Sequence, residues 1–163
     1  MEIKYKKWVD TVHRIRGETE TRFDKMRLDK NERISHLGED LWRDMISKIK
    51  QEHILSYPEI EPFYSRLAGF LNVSTESLVV TAGADFAIKI AFELFVNPGE
   101  EVIVLSPTFA MIEVYCDLYC AKKIEIGYDL DLNLDIERLM NAINERVSLV
   151  VIANPNSPTG TYI

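Results

Sequence analysis

From Ser74 onward, short β-branched runs alternate with stretches of helical period, and this alternation constrains the fold more than any other feature of the chain. Leu78-Val79-Val80-Thr81 reads as a strand. Phe86–Val96 follows, with Ile88, Ala91, Phe92 and Phe95 at helical spacing. Asn97-Pro98-Gly99-Glu100 is a turn signal. The pattern then predicts a strand in Glu101–Leu105, a helix over Phe109–Leu118 and a strand over Lys122–Ile126. Asp135 is placed to cap a helix reaching about Asn144. Ser148–Ile152 is the last strand. Such alternation predicts an α/β fold, a mostly parallel sheet built from βαβ units with helices on both faces.

The first part of the chain is different. Residues 1–35 are charge-rich and weakly patterned, and read as an N-terminal arm with a short helix near Lys7–Ile15. Residues 36–163 read as the folded domain. Leu41, Trp42, Met45, Ile46, Ile49 and Ile54 approach a helical period over Leu41–Ile54. Ser56-Tyr57-Pro58-Glu59 breaks it, because proline disfavours helix in the residue before it. Pro62–Leu71 predicts another helix, with Phe63, Leu67, Phe70 and Leu71 on one side.

Charge and composition exclude some classes. The 163 residues are 47% hydrophobic and 28% charged, as in a globular protein, and the net charge is −7. An acidic chain is a poor general ligand for nucleic acid. No apolar run approaches the ~20 residues that span a bilayer. Met1–Lys7 is charged without a following apolar signal core, so the cytoplasm is the expected location. Cys116 and Cys120 lie on a predicted helix with no nearby His or further Cys, and read as half-buried reduced thiols rather than as a metal site.

Chemistry in open α/β sheets collects where strands end and helices begin. Three loops qualify. Thr81-Ala82-Gly83-Ala84-Asp85 lets a backbone approach closely, and the free N–H groups of the following helix suit an anion. A tight turn capped by Asp85 explains the same residues. Ser106-Pro107-Thr108-Phe109 puts an aromatic at a strand mouth, where it either stacks on a flat ring or joins the core. Asn154-Pro155-Asn156-Ser157-Pro158-Thr159-Gly160 follows a buried run directly and offers neutral donors and acceptors on a proline-stiffened backbone. A ligand-facing loop is a poor place for a domain to end, so the chain is expected to be the front part of something larger.

Together these loops resemble the aspartate-aminotransferase superfamily, the type I fold of pyridoxal-phosphate enzymes, and within it the histidinol-phosphate aminotransferase subgroup. The resemblance covers nearly all of residues 27–163. Arg27-Leu28-Asp29-Lys30-Asn31-Glu32 is similar to the subgroup's Leu-Asp-x-Asn-Glu motif, and Ser56-Tyr57-Pro58 to its Tyr-Pro motif. Thr81–Asp85 with Ala87-Ile88 resembles the phosphate-loop segment. Pro98-Gly99-Glu100 and Ser106–Met111 follow in order, and Asn154–Gly160 is similar to Asn-Pro-x-Asn-Pro-Thr-Gly.

The resemblance implies pyridoxal 5'-phosphate as cofactor, in an incomplete N-terminal part of the family's large domain. Backbone N–H groups of Gly83, Ala84 and Asp85 would hold the cofactor phosphate. Phe109 would stack on the ring, and Tyr57 would reach the cofactor of the partner subunit in a homodimer. A contact to the ring's phenolic oxygen falls to Asn156 or Ser157, since Ser157 stands where the family usually has Asn. Arg33 and Ile34 replace a common Asn-Pro, and Phe86 replaces a commoner acidic residue.

The implied reaction moves an amino group between an amino acid or amino-phosphate and a 2-oxo acid. A decarboxylase acting on threonine phosphate shares the motifs, and a truncated non-catalytic module is the non-enzymatic alternative. A dinucleotide-binding domain also alternates strands and helices, but predicts Gly-x-Gly-x-x-Gly where Thr-Ala-Gly-Ala-Asp stands. In the family the Schiff-base Lys lies downstream of the Asn-Pro loop. Lys30 and Lys89 stand in no matching motif and read as solvated, so residues 1–163 alone are expected to be inactive.

Overall fold

A continuous apolar run becomes a central strand only when both of its faces are covered. β1 (Glu101–Ser106) meets that condition: Val102, Ile103, Val104 and Leu105 are all buried to 1% exposure or less. β2 (Lys122–Gly127) and β3 (Val147–Val151) flank it, both parallel to it, in the order β2-β1-β3. The computed structural model describes residues 6–12, 24–28 and 32–163. They fall into two compact units, residues 79–163 with 6–12, and residues 24–28 with 32–78.

Alternation along β1 sends its side chains into two separate cores. Val102 and Val104 point to one face, where they meet Phe92 of α4 (Ala84–Phe95) and Ile112, Tyr115 and Cys116 of α5 (Ala110–Leu118). Ile103 and Leu105 point to the other, against Ile126 and against Leu139 of α6 (Ile136–Ala142). Helices therefore cover both faces, as the sequence pattern predicts. Phe92 sits with its ring 5.9 Å from Tyr115 and 6.0 Å from Tyr119, within the range of favourable aromatic pairs.

The register of β3 contains one irregularity. Glu101 pairs with Val147, but Val102 pairs with Leu149, so one extra residue sits on β3 beside Ser148. Such a bulge reverses the facing of everything beyond it. Val147 and Val150 consequently join the α6 core, while Leu149 and Val151 join the α4–α5 core. The outer strand β2 exposes Lys122, Lys123 and Glu125, charges that discourage edge-to-edge pairing.

The helix ends follow local chemistry. Asp135 caps α6 by accepting the Arg138 N–H at 2.8 Å, as expected from sequence. The N-terminal 3-10 turn Lys7–Thr11 is shorter than the predicted helix. Its Trp8 indole donates to the Leu118 carbonyl at 3.1 Å, satisfying one of the acceptors left open at the end of α5. In the second unit, α1 (Glu39–Ser47), α2 (Glu52–Leu55) and α3 (Glu61–Leu71) are three separate helices. The predicted single helix over Leu41–Ile54 is thus interrupted between α1 and α2. Asn72 closes α3 in the left-handed conformation, φ 54°.

Three further expectations change. Leu78–Thr81 lies outside the three-stranded sheet, because a β-branched run becomes a strand only where a neighbouring backbone completes its ladder, and none of β1–β3 does so. Phe95 is 59% exposed: the buried row of α4 runs Ile88, Phe92 and on to Val96 at i, i+4 steps, which turns Phe95 outward. Cys116 is fully buried rather than half-buried, while Cys120 is intermediate. Asp29, Lys30 and Asn31 lie outside the described residues. No described helix is long and apolar enough to cross a membrane.

Candidate functional site

Because β1 and β3 run parallel, the loops that follow them leave the same end of the sheet. One side chain binds the two together. Asn156, 3% exposed, donates through Nδ2 to the Pro107 carbonyl at 2.9 Å and to Thr159 Oγ1 at 2.9 Å. Its Oδ1 accepts the Thr108 hydroxyl at 3.0 Å. Both amide protons and the amide oxygen are therefore engaged within the protein.

The backbone of the loop closes around the same residue. Asn156 N–H donates to the Thr161 carbonyl at 2.6 Å, and Gly160 N–H donates to the Asn156 carbonyl at 2.7 Å, with Gly160 at φ 71°. Asn154 exchanges hydrogen bonds with both backbone groups of Ile163, at 3.2 and 3.4 Å. Ser157 differs from both asparagines. Its side chain is half-buried and its hydroxyl has no hydrogen-bond partner among the described residues.

The turn before α4 is built by backbone rather than by a cap. Gly83 is the N-cap, at φ 86° and ψ 173°, and no side chain caps the helix. Asp85 sits in the first turn instead of capping it. The Gly83 N–H, expected to face a phosphate, instead donates to the Thr81 carbonyl at 2.8 Å because the turn folds back on itself; among the described residues the N–H groups of Ala84, Asp85 and Phe86 have no acceptor, and the first helical bond runs from Ala87 N–H to the Gly83 carbonyl. Three free donors and the positive end of a twelve-residue helix are the makings of an anion site. No hydrogen bond among the described residues joins this turn to the Pro107 or Asn156 loops.

Phe109 occupies the N-cap position of α5, half-buried, and packs in part against the α4–α5 core. It is thus both a core side chain and an aromatic at the strand mouth. Tyr57 belongs to the second unit and is 99% exposed. Lys89 pairs with Glu93 at 3.2 Å and lies 5.5 Å over the Phe86 ring, and the Glu93 carboxylate raises its pKa. Beyond β2, Asp129 accepts the N–H groups of Asp131 and Asn133 and the Asn133 amide, at 2.8–3.1 Å, which lowers its pKa.

Sequence reasoning gave Thr108 and Thr159 no role. Thr108 is 7% exposed and Thr159 half-buried, and both hydroxyls are partners of Asn156. Their only signal in the sequence is position, since each lies one residue beyond a proline in a strand-end loop.

The family model for aminotransferase class I and II matches residues 24–163. A histidinol-phosphate aminotransferase of Dehalococcoides mccartyi is 37% identical over 140 residues, which are 85% of this chain and 38% of that protein. The chain therefore spans well under half the length of this relative. N-succinyldiaminopimelate aminotransferase from Mycobacterium tuberculosis superimposes with a TM-score of 0.61 at 24% identity, over 74% of this chain and 34% of its own. Cystalysin from Treponema denticola, whose crystal structure contains a pyridoxal 5'-phosphate cofactor, gives 0.60 at 18% identity, over 77% and 33%. At these identities the structural likeness shows the fold, a part of the type I fold.

Proposed function

Because the chain belongs to the class I and II aminotransferase family, we propose that it supplies the phosphate and ring contacts of a pyridoxal-phosphate-dependent aminotransferase. The observation that carries this reading is the uncapped start of α4, where three N–H groups stand free behind a glycine at φ 86°. A phosphate monoester fits that donor set.

The cofactor supplies the electron sink for chemistry at the amino-bearing carbon. The residues of this chain bind and orient it. Ala84, Asp85 and Phe86 N–H groups would hold the phosphate, with Gly83 shaping the turn. Phe109 would stack on the ring. Ser157, whose hydroxyl has no hydrogen-bond partner among the described residues, would donate to the ring's phenolic oxygen.

The relatives support a reading of the substrate class. A chain 37% identical to a histidinol-phosphate aminotransferase is read as acting on an amino-phosphate or amino acid, with a 2-oxo acid as acceptor, in the cytoplasm. Residues 36–163 are read as part of the large domain. Tyr57, wholly exposed in its own unit, is read as reaching the partner subunit's cofactor in a homodimer.

The test is amino transfer from histidinol phosphate to a 2-oxo acid by the protein encoded by the complete gene, together with equilibrium dialysis of pyridoxal phosphate against the 163-residue chain. Transfer in the first and a saturable, phosphate-competed site in the second are expected. A chain that takes up no pyridoxal phosphate, in a protein without transfer activity, overturns the reading.

A further inference from the structure

We infer that Asn156 is a positioning residue for Phe109, not a ligand contact: its amide fixes the Pro107-Thr108-Phe109 segment to the loop after β3. Two observations lead there. The amide is 3% exposed, and its two protons and its oxygen already have protein partners 2.9–3.0 Å away. Two of those partners, the Pro107 carbonyl and the Thr108 hydroxyl, lie 49 and 48 positions earlier in the chain and stand directly before Phe109.

The geometry makes the coupling specific. Phe109 is the residue where the β1 loop turns into α5, at φ −59° and ψ 119°, so its backbone is held from one side by α5. Asn156 holds it from the other. The Asn156 amide is held in turn by Thr159, and its backbone by Thr161 and Gly160. A shift of the loop after β3 is therefore transmitted to the aromatic ring through two hydrogen bonds. A carboxylate at position 156 keeps the shape and loses both donors, leaving the buried Pro107 contact without a proton. The inference rests on the aminotransferase reading only in naming what Phe109 faces.

The test is amide hydrogen exchange on the ligand-free 163-residue chain, comparing wild type with Asn156→Asp, Thr108→Val and Thr108→Ser. Exchange at Ile112, whose N–H donates to the Phe109 carbonyl at 2.9 Å, is expected to quicken about tenfold in Asn156→Asp and Thr108→Val, as for loss of one buried hydrogen bond in a local opening. Thr108→Ser keeps the hydroxyl and is expected to restore wild-type protection. The double variant Asn156→Asp/Thr108→Val is expected to exceed neither single variant by much, because both break one linkage. The amides of Ile103 and Leu105 serve as the control, and should not change.

Unchanged exchange at Ile112 in both Asn156→Asp and Thr108→Val overturns the inference. So does an equal rise at Ile103 and Leu105, which marks general loss of stability. If Asn156→Asp fails to fold, Thr108→Val against Thr108→Ser decides alone. Pyridoxal phosphate binding and amino transfer are measured separately: a chain that takes up no pyridoxal phosphate, in a protein without transfer activity, sinks the enzyme reading and, with the exchange pattern as expected, leaves the linkage standing.

Discussion

Thr81 and Gly83 bond each other twice across Ala82: the Thr81 hydroxyl donates to the Gly83 carbonyl at 2.8 Å, and the Gly83 N–H donates to the Thr81 carbonyl at 2.8 Å. This reciprocal pair folds the turn so tightly that Gly83 takes φ 86° with ψ 173°. Side chains are essentially excluded from that region. The N–H groups at the start of α4 are those every helix leaves without an intrahelical partner; no side chain caps them, and the turn keeps the backbone ahead of them clear of a side chain.

Replacing Gly83 by Ala tests this directly. A Cβ there meets no atom within 4 Å, so the substitution introduces no clash. The cost is in the backbone alone, about 1–3 kcal/mol. Thermal unfolding of Gly83→Ala should show a loss of that size or a remodelled turn, and phosphate or pyridoxal phosphate affinity should fall with it. Unchanged stability and affinity would show that the turn tolerates a left-handed side chain and that its shape is not what binds.

Ser157 carries the opposite expectation. Among the described residues its hydroxyl has no hydrogen-bond partner. Ser157→Asn should leave cofactor affinity and activity intact or raise them, since it adds a donor of longer reach. Ser157→Ala should weaken affinity without changing the melting temperature. A large loss in Ser157→Asn would mean that the loop is wired differently from the proposal.

Tyr57→Phe separates a contact between subunits from a role in folding. With its side chain 99% exposed, the change should leave stability within about 0.5 kcal/mol. If Tyr57 reaches a partner's cofactor as proposed, cofactor retention should weaken. Retention equal to wild type removes Tyr57 from the proposed site.

Cys116 links burial to pH. Exclusion from water, with smaller contributions from nearby charges, pushes its thiol up from 9.0 to about 12. The neutral thiol is therefore favoured in the folded chain. Its contribution to stability is complete below pH ~9 and is lost as pH rises from there through about 12. Relative to Cys116→Ala, the wild-type chain should lose stability faster across that window. In native buffer a thiol reagent should modify Cys120, which is partly exposed, and spare Cys116. Rapid reaction of both would contradict the packing.

Where period alone decides structure, the sequence was readable. The buried run of β1, the Asp135 cap and the α4 and α5 helices follow from patterns within a few residues. Leu78–Thr81 was misread because a strand depends on its neighbour as much as on its own residues. Phe95 was misread because either of two spacings, i+3 or i+4, continues a helical face, and packing chose the second. Within the candidate site, the glycine turn and the strand-end aromatic were visible. The Asn156–Thr108 bond was not, because nothing local links residues 48 positions apart.

β1 does more than complete the sheet. The Phe92 core and the Leu139 core share no side chain, and its backbone is the wall between them. The molecule therefore has separable failure modes. Damage on the Leu139 side can loosen α6 while α4 and α5, which present Gly83 and Phe109, keep their own packing. A chain built this way can accumulate changes behind the partition, and lose stability there, before the face proposed to meet a ligand registers any of them.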